Sequence, residues 1–358
     1  MNDVSFEFAD LSELQDIMSF MSRHWAANHI YSVSKELLMK EFLWLDQPDK
    51  LTIGLAKDTD GEILGVFCFK FYNYCELPDL AGALWKVTSD AEKKYQMIGV
   101  RLRQFVIKNV KHRFFSAAGA GEQTKNTYKM LRLQWNQMKQ YYIINPLINE
   151  YKLIQHLSLK AEQANAFGLP NIEMKRVDNP DDLLNFDFEA NSNILPFKDM
   201  RYIENRFFDY PFYSYDIFLV YKSKEKIAQN IVVCRKAVAK DQAGKGIASA
   251  YRIVDFYGTE DLLPSIIIAL FERVRVQGDE FLDFVCYGFD DKLLKQAGMN
   301  SLNFDSTEVI IPNLFEPLVR ENIAVNCIAD GTNGNYRHCR ADGDQDRPNF
   351  LNTRVSHQ

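Results

Sequence analysis

Apolar and polar positions change their period several times along this chain. Leu11, Leu14, Ile17, Met18 and Met21 recur at helical spacing behind Asp10, which is placed to cap a helix over residues 11–26, after a short strand at 6–8. Residues 51–56 then meet the turn Asp58-Thr59-Asp60-Gly61 and the apolar, aromatic run 63–74, which predicts a β-hairpin. A strand at 84–88, a helix at 100–110, a strand at 112–118, a helix at 125–138 and a strand at 141–145 complete a first set of elements.

Pro146, Pro170 and Pro180, with a helical stretch at 153–167 between them, mark a boundary. The pattern then resumes with helices at 180–191 and 197–208, a strand at 216–222, a hairpin at 226–257, a helix at 262–277, a strand at 281–286 and a helix at 290–297 ended by Gly298. The two halves share this rhythm without matching residue for residue. The expected class is α/β, a mixed α+β sheet with flanking helices. The chain divides into a first domain at 1–148, a connecting helix or linker at 149–170, a second domain at 171–329 and a polar C-terminal segment at 330–358.

Composition narrows the function. With 358 residues, 47% hydrophobic, the chain is long enough for two compact domains. Its 42 Lys and Arg against 48 Asp and Glu give a net charge of −6 and no broad basic footprint, so nucleic acid and anionic lipid are not expected partners. The densest apolar run, 262–271, is interrupted by Pro264 and Ser265 and falls well short of the roughly 20 residues that cross a bilayer, so no membrane insertion is expected. The first residues are polar and carry no secretory pattern. Six scattered cysteines in a chain of this size read as reduced thiols, and the expected location is cytoplasmic.

Candidate chemistry begins after the strand near Val87. There Tyr95-Gln96-Met97-Ile98-Gly99-Val100-Arg101 feeds a helix whose first N–H groups would aim at one spot, a favourable place for an anion. Gly99 would let a phosphate approach the backbone, with Lys93, Lys94 and Arg101 adding positive charge. Downstream, 126–134 read as helix and contain Tyr128, followed by the strand residues Tyr141 and Tyr142.

Over roughly residues 5–145 this series resembles the GNAT superfamily of acyl-CoA-dependent N-acyltransferases. The resemblance implies that Gln96, Met97, Ile98 and Gly99 match the first four positions of the Gln/Arg-x-x-Gly-x-Gly/Ala loop, so that Val87, Gln96, Met97, Ile98, Gly99, Val100 and Arg101 bind acetyl-CoA. Arg101 departs from the pattern, standing where Gly or Ala is usual, and would crowd the phosphate or pair with it. Tyr128 matches the family's tyrosine near the cofactor sulfur, and Arg132-Leu133 replaces the Gly-Phe that usually follows. The implied reaction is attack of an amine on the thioester, with backbone N–H groups near Val87 holding the oxyanion and Tyr128 as general acid for the departing thiolate. Glu76, Asp79 and Glu122 are open as general bases.

The second half resembles the end of such a domain, with Gly298-Met299 where Gly-Phe would be, but Glu260 and Asp261 stand at the phosphate position. It is not expected to bind CoA; it would instead shape an acceptor pocket between the halves. The run 241–248, with Gly244 and Gly246, looks like a phosphate loop but precedes the strand it should follow and reads as a hairpin turn. The last segment has the composition of a solvated terminus. Asp342, Asp344 and Asp346 lack the rest of a calcium loop, and Cys327, His338 and Cys339 lack zinc-ligand spacing, so no metal is expected. Arg337, His338, Arg340 and Arg347 are instead candidates for holding a polar, phosphorylated acceptor.

Paired GNAT-like halves with such a segment are similar to transferases that acetylate nucleotide-linked amino sugars for surface glycans, which is the leading expectation. An aminoacyl-tRNA-dependent transferase of the peptidoglycan-branching type and a non-catalytic binding protein are the alternatives.

Overall fold

The computed structural model describes residues 4–156, 169–241, 243–330, 336–343 and 345–350. The first half contains β1 (Ser5–Asp10), α1 (Leu14–His24), α2 (Ile30–Val33), α3 (Lys35–Phe42), β2 (Lys50–Lys57), β3 (Ile63–Phe71), β4 (Asp79–Val87), α4 (Ser89–Lys94), α5 (Ile98–Asn109), β5 (Phe114–Ala118), α6 (Lys125–Met130) and β6 (Gln134–Ile144). The second contains β7 (Gln155–His156), β8 (Ile172–Arg176), α7 (Met200–Phe207), β9 (Asp216–Lys222), β10 (Asn230–Lys240), β11 (Gly246–Gly258), α8 (Leu263–Gln277), β12 (Phe281–Tyr287), α9 (Asp291–Gln296), β13 (Asn300–Ser301), β14 (Val309–Ile310), β15 (Val325–Ala329) and β16 (His338–Cys339).

Both halves follow one strand plan. β1 to β4 form an antiparallel series and β4 then runs parallel to β5; β8 to β11 are likewise antiparallel, and β11 runs parallel to β12. The last long strand of each half crosses over. β6 pairs with β12, β15 pairs with β5, and β15 and β6 pair with each other at the centre. The result is one mixed sheet in the order β1-β2-β3-β4-β5-β15-β6-β12-β11-β10-β9-β8, continuous from end to end. A strand lent to the other half ties the two together through backbone hydrogen bonds rather than surface contacts alone.

Period-2 alternation decides which helix covers which face. Ile53 and Leu55 of β2, with Ile217, Leu219 and Tyr221 of β9, point into a single core shared by α1, α2, α3 and α7 of both halves. Their neighbours point the other way, Ala56 beneath α5 and Phe218 and Val220 beneath α8. α1 buries Leu14, Ile17, Met18 and Met21, as its spacing predicts. α8 begins with Pro264 in its first turn and ends at Gly278, whose φ of 71° closes the helix in the left-handed region.

Several elements differ from expectation. The helix expected at 125–138 stops at Met130, because Arg132 takes a left-handed φ of 61° and the chain turns into β6 at Gln134. β4 begins at Asp79, earlier than expected, and residues 180–191 hold two short 3-10 turns in place of a helix. Within the stretch expected to be helical at 153–167, Gln155–His156 pair with β14; residues 157–167 of that stretch lie outside the described residues. Among the described residues no helix is long and apolar enough to cross a membrane.

Candidate active site

β4 is the element on which the site is built. It pairs with β5 only from Asp79 to Gly82, whereas on its other edge it stays with β3 through Val87. Register against β3 slips between Phe67 and Phe69, where β4 carries one extra residue. A bulge of this kind bends and twists its strand. Residues 83–87 therefore leave β5, and among the described residues no strand pairs with them on that side.

Into this opening points the start of α5. Its N-cap, Met97, has φ 54°, a left-handed conformation uncommon outside glycine, and makes no side-chain cap. Among the described residues, the N–H groups of Gly99 and Val100 have no acceptor in the protein. A cleft of about 390 Å³ lies against them, lined by Trp85, Val87, Glu92, Met97, Ile98, Gly99, Val100, Gln123, Thr124 and Thr127. A Cβ at Gly99 would stand 3.2 Å from Trp85 Nε1 and 3.3 Å from Val87 Cγ2. Glycine thus serves two ends there, close packing of helix on strand and an unobstructed pair of N–H groups.

Of the residues singled out from the sequence, Val87, Met97, Ile98, Gly99 and Val100 meet at this cleft. Gln96 is exposed beside it, and Arg101 turns away, its guanidinium 5.1 Å from the centre of the Phe6 ring. Lys93 and Lys94 are also exposed; the one charged residue lining the cleft is Glu92, which the sequence reading did not weigh. Nothing in the spacing around Glu92 distinguishes it from a solvated helix residue.

Tyr128 lies one ring away from the cleft, its centroid 5.7 Å from Trp85 and 6.2 Å from Trp135. It is buried, and its hydroxyl has no hydrogen-bond partner among the described residues. Burial pushes its pKa up to about 12, against a pull downward from Arg103. Arg132 supplies the left-handed turn that a glycine would supply more easily, and Leu133 is buried in the same core as Tyr128. Of the acids open as bases, Asp79 is fully buried and spent on Arg113 and the Phe197 N–H; Glu122 is ion-paired with Lys125 and Glu76 is exposed.

The corresponding opening in the second half is filled. β11 pairs with β12 only from Tyr251 to Ile253, and beyond that point β16 adds to β12 at Cys286 and Tyr287 while the Ala341 N–H bonds to Val254 O at 2.8 Å. Arg337 donates to Gly258 O at 2.8 Å and pairs with Glu260. The C-terminal segment, polar by composition, is therefore largely interior from Tyr336 to Gly343: His338, Ala341 and Asp342 are fully buried and Arg340 nearly so. Lys198 bridges Asp255 and Asp342 within it. Residues 331–335, 344 and 351–358 lie outside the described residues.

This placement separates the four acceptor candidates. Arg337 and His338 are committed inside the second half, and burial followed by Lys198 drives His338 down to a pKa of about 3, so it is neutral. Arg340 and Arg347 come together in a second, small pocket. No group of three or more metal-ligating side chains is found among the described residues.

No protein-family model and no curated protein matches the sequence. In structure, the chain is similar to a GCN5-related N-acetyltransferase from Anabaena variabilis ATCC 29413, with TM-score 0.52 and 10% identity over 91% of this chain and 72% of that one. It is similar to a probable N-acyltransferase from Enterococcus faecalis V583, with TM-score 0.50 and 10% identity over 84% and 70% of the two chains. A glucosamine N-acetyltransferase region of a fungal multi-domain GH3 β-N-acetylglucosaminidase matches with TM-score 0.50 and 10% identity, over 92% of this chain and 38% of that one. The strand that parts from its parallel neighbour, the bulge before the parting and the helix aimed into the gap belong to a chain with the fold of the GCN5-related N-acetyltransferases.

Proposed function

We propose that this chain is an acyl-CoA-dependent N-acyltransferase that moves an acetyl group to the amine of an amino sugar, one carried on a nucleotide, in the cytoplasm. The observation that carries the reading is the meeting at one cleft of Trp85 and Val87, from the stretch of β4 that has left β5, with the N–H groups of Gly99 and Val100, which have no acceptor among the described residues.

Acyl-CoA would supply a pyrophosphate, an amide-bearing arm and an activated thioester. Gly99 and Val100 would hold the pyrophosphate at the positive end of α5. The free edge of β4 would pair with the amides of the arm, as a strand pairs with its neighbour. Trp85, in contact with both the cleft and Tyr128, would orient the thioester end.

With its pKa at about 12, Tyr128 keeps its proton across neutral pH. Full transfer to a thiolate of ordinary pKa, about 8.5, would run uphill by about 5 kcal/mol. Tyr128 then acts by donating a hydrogen bond to the departing sulfur, which stabilises the charge without moving the proton. Binding without turnover is the second reading, favoured by the place of Tyr128, which lies behind Trp85 rather than in the lining of the cleft.

Thermal melts with and without acetyl-CoA test the donor. A rise that Tyr128→Phe retains, together with a turnover about 10²-fold lower, fits the proposal. No rise at millimolar acetyl-CoA would sink it, and a rise with no turnover on any amine would favour the second reading.

A further inference from the structure

Three guanidinium groups are buried together where the C-terminal segment crosses the second half. Arg235 holds Asp346 through two bonds of 2.8 and 3.2 Å, and Arg252 holds Asp283 through two of 2.7 and 2.9 Å. Each carboxylate thus has its own arginine. Arg340, 6% exposed, is the third. Its Nη2 reaches the Asn313 side-chain oxygen and lies 3.7 Å from Asp283, its Nη1 is 3.4 Å from the Asn313 carbonyl, and its Nε has no partner.

The local count is three positive charges against two negative. A buried charge without a counter-charge is costly, and the protein shows that cost. Burial, followed by repulsion from Arg252, lowers Arg340 to a pKa of about 9. Meanwhile Arg235, with Arg206 and Arg340 nearby, outweighs burial and holds Asp346 down at about 2. Aromatic faces fix the other two groups, with Arg235 3.9 Å from the centre of the Tyr213 ring and Arg252 4.8 Å from that of Phe315. All three arginines line a pocket of about 20 Å³, whose rim adds Arg347 and Glu316, charges of opposite sign. That volume admits about one oxygen-sized atom, so the pocket suits the tip of an anionic group rather than a whole molecule.

We infer that Arg235, Arg252 and Arg340 form a binding pocket for an anionic group, a phosphate or a carboxylate, and that this group belongs to the acceptor of the transfer. The second clause rests on the acyltransferase reading; the first does not. Position links the pocket to the reaction. Gly343 packs against Gly82 and Ala118, where β4 and β5 part, and Gln345, which lines the pocket, sits against Gly119 at the end of β5. From Gly343 to Asp346 three residues of chain reach at most about 11 Å. An acceptor anchored by its anionic end would thus have its amine within reach of the open edge of β4.

The test is a set of melts on the full chain at constant ionic strength, first without and with CoA, then with CoA present so that phosphate does not report on the cofactor cleft and with chloride as the control anion. Inorganic phosphate and acetate are added in separate arms, to wild type, Arg340→Met and Arg340→Lys. We expect a saturable rise of about 2–4 °C with one or both anions in wild type, a smaller rise in Arg340→Lys and none in Arg340→Met. Without added anion, Arg340→Met should melt at or above wild type, since it removes the uncompensated charge. The arm that shifts identifies the group. A rise that chloride reproduces, an equal rise in Arg340→Met, no rise in wild type, or an Arg340→Met chain that melts well below wild type without anion would each overturn the inference. A phosphate or acetate rise that depends on Arg340, in a chain that does not respond to CoA, would keep the anion pocket and remove the acyltransferase reading.

Discussion

Replacing His338 by glutamine should flatten the acid side of the stability profile. His338 lies in β16, fully buried, with no hydrogen-bond partner for either ring nitrogen among the described residues. The Asp342 carboxylate is 3.5 Å from Nδ1, but Lys198 and the Cys339 N–H already engage it, and burial together with Lys198 lowers the imidazole to about 3. In the unfolded chain the ring takes up a proton below about pH 6.5, which the folded chain does not accept until about pH 3. Stability is therefore lost as pH falls from 6.5 toward 3. At pH 5 the bias toward the unfolded chain is about thirtyfold, or about 2 kcal/mol, from this residue alone. Urea titrations at pH 7 and pH 5 measure it. Wild type should lose about 2 kcal/mol more than His338→Gln between the two, whatever constant offset the substitution brings. Equal losses would mean that His338 titrates normally and that the C-terminal segment is not built into the gap beside β12.

Three further outcomes follow from the geometry. Glu92→Gln removes the one charge lining the cleft and should tighten CoA binding severalfold at low salt, an effect that fades as ionic strength rises; calorimetry reads both. Arg132→Gly relieves a left-handed φ of 61° and should stabilise the chain by about 0.5–1 kcal/mol in urea unfolding, the opposite of the usual cost of glycine. Gly54→Ala would place a Cβ 2.6 Å from Val106 Cγ2, pushing α5 off β2, and should cost about 1–3 kcal/mol in the same measurement.

What could be read from the sequence was what local pattern encodes. The spacing of Leu14, Ile17, Met18 and Met21 gave α1, the Asp58–Gly61 turn gave the β2–β3 hairpin, and the residues from Tyr95 to Val100 gave the loop that opens α5. Non-local pairing was hidden. The pattern predicts a strand at 141–145 and none at 325–329, and even the strand it predicts says nothing of being lent to the other half, because a strand's pattern names its buried face and not its partner. The C-terminal segment misled for a related reason. Asp342, Asp346 and Arg340 count as polar in composition, yet here they are interior, met by Lys198, Arg235 and Asn313 from distant positions. The end of α6 was missed because a non-glycine, Arg132, takes the left-handed turn. Glu92, Arg235 and Arg252 carried no local signal at all, and Arg340 stood out only through the make-up of its segment.

Titration of CoA into the full chain, wild type and Gly99→Val, tests the central claim most directly, because it asks whether the cleft at the start of α5 is the donor site and whether the filled gap beside β12 is closed to it. The account predicts saturable binding of one CoA per chain, abolished by the valine, whose side chain would press on Trp85 and Val87 and cover the Gly99 and Val100 N–H groups. No binding, binding unaffected by Gly99→Val, or two molecules per chain would contradict it.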